Sequence, residues 1–197
     1  MKEDGLAMKS MSRGLLAGVL AAGIVLTSVV PGASAATAAP AATPAAAPAA
    51  SATPSPLGTF KAWTAWKGTD ANGPICYISS DPSTSLPDGA KRDPVHFLVI
   101  NRKATGTKNE VQTLIGYPFK KDSKPTATID SKSYAMVVEG AAAWLASTGD
   151  EPGFVSALKS GTKLVVKGTS QRGTETTDTY VLSGVTAALA AADKACT

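Results

Sequence analysis

The C-terminal segment, residues 163–196, most limits the fold, because it predicts a strand pair and a helix in direct succession. Two runs of alternating apolar and polar residues flank a glycine, with Leu164 and Val166 in the first run and Tyr180 and Leu182 in the second. Their arrangement about Arg172-Gly173 predicts a β-hairpin.

A short terminal helix is predicted directly after the hairpin. Apolar residues recur there at spacings of four, three and four, at Val185, Leu189, Ala192 and Cys196. This spacing places them on one helical face, so the Cys196 thiol points inward.

The residues before this hairpin alternate in short runs separated by turn signals. Strands are predicted at 60–67, 75–79, 96–102, 110–115, 126–129 and 134–138. Residues 141–145 fit either a strand or a helix, and 150–160 fit a minor internal helix capped by Asp150. We therefore predict an all-β fold, an antiparallel β-sandwich of eight or nine strands with a short C-terminal helix.

The N-terminus has the pattern of a secretory signal peptide over residues 1–35. Basic residues precede a 16-residue apolar run at 15–30, and small residues end at Ala35. The run is short for a bilayer span, so no integral membrane span is expected after cleavage. Retention as an uncleaved anchor stays open, as does a true start at Met8 or Met11.

Residues 36–57 are expected to form an Ala/Pro-rich disordered tether, because up to Pro56 they carry no charge and no large side chain. Residues 58–197 then have the length of one domain. The predicted location is periplasmic or secreted.

The net charge of +4 is spread along the chain without a block of five like charges. Together with the export signal, this argues against nucleic-acid binding. Weak attraction to anionic lipid or polysaccharide stays open.

Cys76 and Cys196 are the two cysteines, and an oxidising compartment favours a disulfide between them. The alternative is a pair of unbonded buried thiols. With His96 as the single histidine, no metal site of the usual His/Cys type is expected.

Catalytic signals are weak. His96 adjoins an apolar run, as a structural histidine would, and Ser170 lies in a segment where Arg172 replaces the glycine that a nucleophile elbow needs. The spacing of Glu139, Glu175 and Asp178 does not predict a carboxylate pair. No phosphate-binding motif is present, so neither an enzyme nor a cofactor is predicted, with an envelope hydrolase as the alternative.

Two clusters suggest binding. Trp63, Trp66 and Tyr77 fit an aromatic platform or ordinary core aromatics. The second cluster supplies the candidate partner-binding residues, which are Tyr117, Phe119, Lys120 and Lys121 of one loop and Arg172 at the hairpin tip. A solvated loop is the alternative for this cluster.

Several segments resemble the invasion-associated locus B (IalB) family: CYISS at 76–80, GAKRDPVHFLVINR at 89–102, NEVQTLIGYPFKKDS at 109–123, VVKGTSQRGTETTDTYVLSG at 165–184 and AALAAADKAC at 187–196. The resemblance implies an exported β-sandwich of roughly immunoglobulin-like architecture without known enzymatic activity. The long Ala/Pro segment departs from many members.

The function expected from these observations is that of an exported, disulfide-stabilised, non-enzymatic interaction module that binds an unknown protein or envelope component. The alternatives are an envelope hydrolase and a module that binds carbohydrate or an anionic polymer. Oligomeric state and partner identity stay open.

Overall fold

A computed structural model describes residues 53–196 as eleven strands, two α-helices and a short 3-10 turn. The strands are β1 (Ser55–Phe60), β2 (Trp63–Asp70), β3 (Gly73–Ser80), β4 (Thr84–Leu86), β5 (His96–Arg102), β6 (Thr107–Leu114), β7 (Thr126–Ile129), β8 (Lys132–Glu139), β9 (Ala142–Leu145), β10 (Lys163–Thr169) and β11 (Glu175–Val181). The helices are α1 (Glu151–Ser160) and α2 (Val185–Cys196), and the 3-10 turn is Thr148–Asp150. The all-β prediction is confirmed, with eleven strands where eight or nine were expected.

The strands form a continuous antiparallel order, β1-β2-β3-β5-β6-β9-β8-β7-β10-β11-β4. Because β8 pairs with β9 on one side and with β7 on the other, it joins two layers. We call β1, β2, β3, β5, β6, β9 and β8 the first layer, and β7, β10, β11 and β4 the second layer. The chain thus turns one ribbon of strands into a sandwich.

Aromatic side chains fill the space between the layers. Phe97 of β5 lies 5.8 Å from Phe154 of α1 and 5.7 Å from Tyr180 of β11, measured between ring centroids. Trp63 of β2 is fully buried, and its indole Nε1 donates a hydrogen bond of 2.9 Å to the carbonyl of Val181. A buried tryptophan is stabilised when its N–H finds a partner, as it does here across the sandwich.

Helix α2 lies against β1, β2, β3 and β5 and buries its predicted apolar face. Its last residue, Cys196, is disulfide-bonded to the fully buried Cys76 of β3. One turn earlier, Asp193 accepts a hydrogen bond of 2.8 Å from Asn101. The terminal hairpin and helix predicted from the sequence are therefore confirmed, as is the Cys76–Cys196 pair.

Three local predictions are wrong. Residues 60–67 are not one strand: β1 ends at Phe60 and β2 begins at Trp63, with Lys61 in a left-handed turn at φ 55°. Alternation continues across this turn, so periodicity alone does not reveal it. The Asp150 side chain accepts no capping hydrogen bond at the start of α1. A short strand that was not predicted, β4, lies between the strands predicted at 75–79 and 96–102.

The predicted tether ends earlier than expected. Its residues 55–57 belong to β1, where Ser55 pairs with Lys67 and Pro56 with Trp66. The signal peptide and residues 36–52 lie outside the described residues. Within residues 53–196, no helix is both long and apolar enough to cross a membrane.

Candidate functional site

The loop at 117–121 and the β10–β11 hairpin tip, two features far apart in sequence, form one unit. The amide of Gln171 donates to the carbonyl of Pro118 at 2.9 Å, and the amide of Lys120 donates to the carbonyl of Thr169 at 2.9 Å. Phe119 and Ser170 form an antiparallel bridge between these bonds. The tip is therefore held against the loop by backbone pairing, independently of side-chain identity.

Phe119 fixes this loop to the core. It is 7% exposed, its ring lies 5.8 Å from that of Tyr117, and its amide donates to the carbonyl of Gly140 at 2.9 Å. Gly168 of β10 leaves room for both rings. Phe119 was a candidate partner-binding residue, but this burial makes it part of the core.

A first cleft of about 640 Å³ opens where the hairpin tip meets the loop. Its walls come from residues 87–93, 116–118 and 170–176. Tyr117 and the exposed Lys91 and Arg172 present aromatic and cationic groups to it, and Ser170, Thr174 and Thr176 supply the hydroxyl-bearing part of the wall.

A buried ion pair lies at this cleft. Arg92 donates Nη1 to Asp178 Oδ2 at 2.9 Å and Nη2 to Asp178 Oδ1, and Ser85 donates its hydroxyl to Oδ1 at 2.7 Å. The Asp178 side chain is fully buried and that of Arg92 is 7% exposed. The hydrogen bond to Asp178 raises the pKa of Arg92 above its usual value. The cleft wall is therefore fixed by a charge-assisted contact, which is stronger than a neutral hydrogen bond.

Tyr117 is also held in place. Its hydroxyl shares a hydrogen bond of 2.5 Å with the hydroxyl of Thr176 on β11. Burial raises the pKa of the Tyr117 phenol, although the bond to Thr176 and the charge of Arg92 act in the opposite direction. The phenol is therefore neutral near pH 7 and presents a ring and a polar edge to the cleft.

We call the paired 117–121 loop and β10–β11 hairpin tip the ridge. A second cleft of about 610 Å³ also borders the ridge. Pro118 and Gln171 line both clefts, so the two adjoin. Lys121 and Lys124 contribute cations to the second cleft and Asp122 contributes a carboxylate. Lys120 is exposed on the same loop but lines neither cleft.

Ser170 and His96, two of the groups considered for catalysis, each contact another residue of the fold. Ser170 is 8% exposed, and its hydroxyl accepts the Thr174 amide at 3.1 Å inside the hairpin tip. His96 Nδ1 contacts Asp81 Oδ1 at 2.7 Å. Among residues 53–196, no three His, Cys, Asp or Glu side chains gather as metal ligands would.

The aromatic trio divides between the two faces of β2 and β3. Trp63 points into the core, whereas Trp66 stacks on Tyr77 with centroids 6.2 Å apart and planes at 16°. Of the two interpretations, the core one is confirmed for Trp63. Trp66 and Tyr77 form a pair on the opposite face.

Sequence reasoning missed Arg92 as a site residue. Arg92 and Asp178 are 86 positions apart, and neither lies in a recognisable motif. One sequence signal was available. Asp178 lies at a position of β11 whose alternation predicts an inward side chain, and a buried carboxylate needs a partner such as Arg92.

Two comparisons bear on the chain as a whole. Residues 64–193 match the family model described as invasion associated locus B (IalB) protein. The fold is similar to the crystal structure of invasion associated protein B from Bartonella henselae, with 15% identity, a TM-score of 0.51, and coverage of 70% of this chain and 96% of that one. No curated protein matched.

Proposed function

Because the chain belongs to the invasion associated locus B family, we propose that it is an exported, disulfide-stabilised binding module of the bacterial envelope or secreted fraction, and not an enzyme. The leader pattern at 1–35 and the Cys76–Cys196 bond support export, since disulfides persist in oxidising compartments. The Ser170 hydroxyl and the His96 ring are each hydrogen-bonded within the fold, to the Thr174 amide and to Asp81, and this supports a non-enzymatic role.

The paired clefts on either side of Pro118 and Gln171 are the proposed binding surface. The observation that carries this assignment is that an aromatic and two cationic side chains, Tyr117, Lys91 and Arg172, line the first cleft. The adjoining second cleft adds Lys121. Aromatic and arginine side chains are enriched where proteins bind partners, because they offer large contact area and several hydrogen bonds. The buried Arg92–Asp178 pair keeps this surface preorganised, which lowers the entropy lost on binding.

An experiment in the native bacterium tests the surface directly. A photo-crosslinking amino acid at Gln171, which lines both clefts, should give a discrete adduct with an envelope protein. The same group at Thr128, on the outer face of the second layer, is the matched control and should give none. Adducts that are absent at Gln171, or identical at both positions, would reject this surface as a protein-binding site.

Charge favours one second candidate, an acidic polysaccharide. Four exposed cations line the two clefts and only two exposed carboxylates do: Lys91, Arg172, Lys121 and Lys124 against Asp93 and Asp122. Arg92 does not add to this excess, because Asp178 neutralises it. Hydroxyl groups and the Gln171 amide supply partners for sugar hydroxyls. For this candidate, the crosslinking experiment would capture no protein, and binding would weaken with salt.

A further inference from the structure

Arg92 uses only part of its guanidinium group within the fold. An arginine has five N–H donors. In Arg92, three of them are used: Nη1 and Nη2 donate to the Asp178 carboxylate, and Nη1 also donates to the carbonyl of Ile115 at 3.3 Å. The other two, Nε–H and the second hydrogen of Nη2, have no acceptor within hydrogen-bond distance among the described residues. They lie side by side on one edge of the planar group, which we call the free edge.

Arg102 shows what the same edge does elsewhere in this protein. Its Nε donates to Glu110 Oε2 at 3.3 Å and its Nη2 donates to Glu110 Oε1 at 3.1 Å, so one carboxylate occupies the edge. Its Nη1 pairs with Asp70. Arg102 therefore holds two carboxylates of its own chain, whereas Arg92 holds one. The free edge of Arg92 is a place for a second.

The free edge belongs to a buried side chain that borders an open space. The Arg92 side chain is 7% exposed, and a buried donor without an acceptor is unfavourable and rare in folded proteins. Arg92 lines the first cleft, so an acceptor can reach the guanidinium from there. A ligand in this cleft would complete its hydrogen bonds.

The first cleft offers more donors than acceptors. The Ser170 hydroxyl oxygen accepts the Thr174 amide, but its proton has no acceptor in the described part of the chain, and Ser170 is 8% exposed. Lys91 and Arg172 add two exposed cations. Among the residues that line this cleft, Asp93 alone carries a carboxylate. The cleft is therefore complementary to a negatively charged group that accepts several hydrogen bonds.

Geometry and charge together favour a carboxylate over a phosphate. Two parallel N–H donors match the two oxygens of a carboxylate, as they do at Arg102. With Arg92 neutralised by Asp178, the two exposed cations and Asp93 leave one net positive charge at the cleft. One carboxylate balances this charge, whereas a phosphate monoester carries nearly two negative charges.

An acidic side chain of a protein suits the cleft better than a uronic acid polymer. Each sugar of such a polymer carries a carboxylate, so the units beside the bound one bring further negative charge towards Asp93. A lone aspartate or glutamate in a peptide does not. Tyr117 and Pro118, which also line the cleft, offer apolar surface to the neighbouring residues of a peptide.

We propose that the first cleft binds one aspartate or glutamate side chain of the partner protein, with its carboxylate on the free edge of Arg92. This assignment rests on the proposed function, since it names the group that the same surface recognises. Arg92 then contacts the ligand directly, in addition to fixing the cleft wall through Asp178.

The Nε–H resonance of Arg92 tests this contact in the full chain, labelled with nitrogen-15 and exported by a bacterial host. The probes are a capped pentapeptide with one glutamate between alanines, the same peptide with glutamine in its place, and trigalacturonate. The glutamate peptide should shift the Arg92 resonance, and the glutamine peptide should not. The Arg102 resonance is the internal control and should stay in place, because Glu110 already occupies that edge.

A pair of variants tests the same contact by affinity. Arg92→Lys keeps a positive partner for Asp178 but loses the planar edge, so it should weaken binding of the glutamate peptide by on the order of tenfold. Arg102→Lys changes another carboxylate-paired arginine, outside both clefts, and should leave the affinity unchanged. Circular dichroism checks that both variants are folded, and the resonance of the wild type needs no variant.

An Arg92 resonance that the glutamate peptide leaves in place overturns the proposal. So does an equal shift with the glutamine peptide, or an equal loss of affinity in the two variants. A shift with trigalacturonate alone overturns the protein source and assigns the carboxylate to a polysaccharide. An adduct at Gln171 together with an unshifted Arg92 resonance rejects the carboxylate contact but keeps the protein-binding surface. A shifted resonance without an adduct rejects that surface and, with it, the protein source.

Discussion

Arg92 and Asp178 form a two-bond ion pair beneath the first cleft, with the carboxylate fully removed from solvent. The pair connects the 87–95 loop to the central part of β11, and Ser85 of β4 adds a third hydrogen bond. A charged pair of this kind fixes geometry more than it adds net stability, since desolvation offsets much of the attraction. Its consequence for function is a cleft wall with a defined position.

Removing one partner of this pair should be costly. Asp178→Asn leaves the Arg92 guanidinium buried without a counter-charge, and we expect a loss of about 3 to 5 kcal/mol in the free energy of unfolding. Urea denaturation measures it. Asp81→Asn removes an exposed carboxylate paired with His96 and should cost less than about 1 kcal/mol. Equal losses in the two variants would contradict the structural role of the buried pair.

Reduction of the disulfide should destabilise the whole domain. Cys76 and Cys196 are separated by 120 positions, so their bond removes much conformational entropy from the unfolded chain. On the chain-entropy model, this raises the free energy of unfolding by roughly 4 to 5 kcal/mol. Dithiothreitol should therefore lower the melting temperature of the wild type. The double variant Cys76→Ala/Cys196→Ala is the control, and its melting temperature should be lower from the start and insensitive to the reductant.

Asp130 predicts a pH dependence of stability. Its carboxylate accepts hydrogen bonds from the Thr162 hydroxyl at 2.7 Å and from the Lys163 amide at 3.1 Å. These bonds lower the pKa of Asp130 below its usual value, and those from Thr162 have the largest effect. The carboxylate is thus stabilised in the folded state. Its contribution is complete above the unfolded pKa of about 4 and disappears as the pH falls through the lowered folded pKa.

Asp130→Asn should accordingly be less stable than wild type at neutral pH and should approach it in acid. Asparagine suits the left-handed backbone at this position, where φ is 48°, so the variant tests charge and not conformation. Melting temperatures across a pH series measure the difference. Glu139→Gln, at an exposed position on β8, is the control, and a constant gap between Asp130→Asn and wild type would contradict the linkage.

Gly168 is expected to be required for the shape of the ridge. A Cβ at this position would lie 2.7 Å from Ile115 Cδ1 and 2.8 Å from Phe119 Cε1, so Gly168→Ala should push the 117–121 loop outward. Overpacking of this kind costs about 1 to 3 kcal/mol. The melting temperature and the yield of crosslinked adduct at Gln171 should both fall.

Gly153→Ala in α1 is the matched control for Gly168→Ala. The nearest atom to its added Cβ is Lys132 Nζ at 4.0 Å, and alanine favours a helix over glycine by up to about 1 kcal/mol. This variant should be neutral or more stable. A Gly168→Ala protein that behaves like it would show that the ridge tolerates a larger residue.

The polysaccharide candidate predicts a salt-dependent interaction. Lys121→Glu/Lys124→Glu, which changes two lysines of the second cleft, should weaken binding to polygalacturonate by on the order of tenfold at low salt and should flatten its dependence on ionic strength. Lys108→Glu/Lys159→Glu changes the net charge equally at exposed positions outside both clefts and should have a smaller effect. Equal effects in the two double variants would assign the binding to net charge alone.

Some of the candidate site was predictable from the sequence, and the limit has a physical cause. Tyr117 and Arg172 were identified because aromatic and cationic residues in loops are recognisable one at a time. Phe119 was misassigned, because its burial depends on Gly168 and Gly140, which lie on other segments. That the loop and the hairpin tip form one ridge was not predicted, since backbone pairing between distant segments leaves no local pattern.

The sequence by itself determined the elements whose cause is local. Period-two alternation and a turn glycine specify the β10–β11 hairpin, and a helical spacing specifies α2. Two cysteines in a chain whose first 35 residues have the pattern of an export signal predict the disulfide between them. Tertiary structure alone decided which charges became buried together, as with Arg92 and Asp178, and which side of β2 and β3 faces the core. Trp63 and Trp66 look alike in the sequence, but they lie on opposite faces of β2. Only the packing of α2 and the second layer made one of these faces the core and the other a surface.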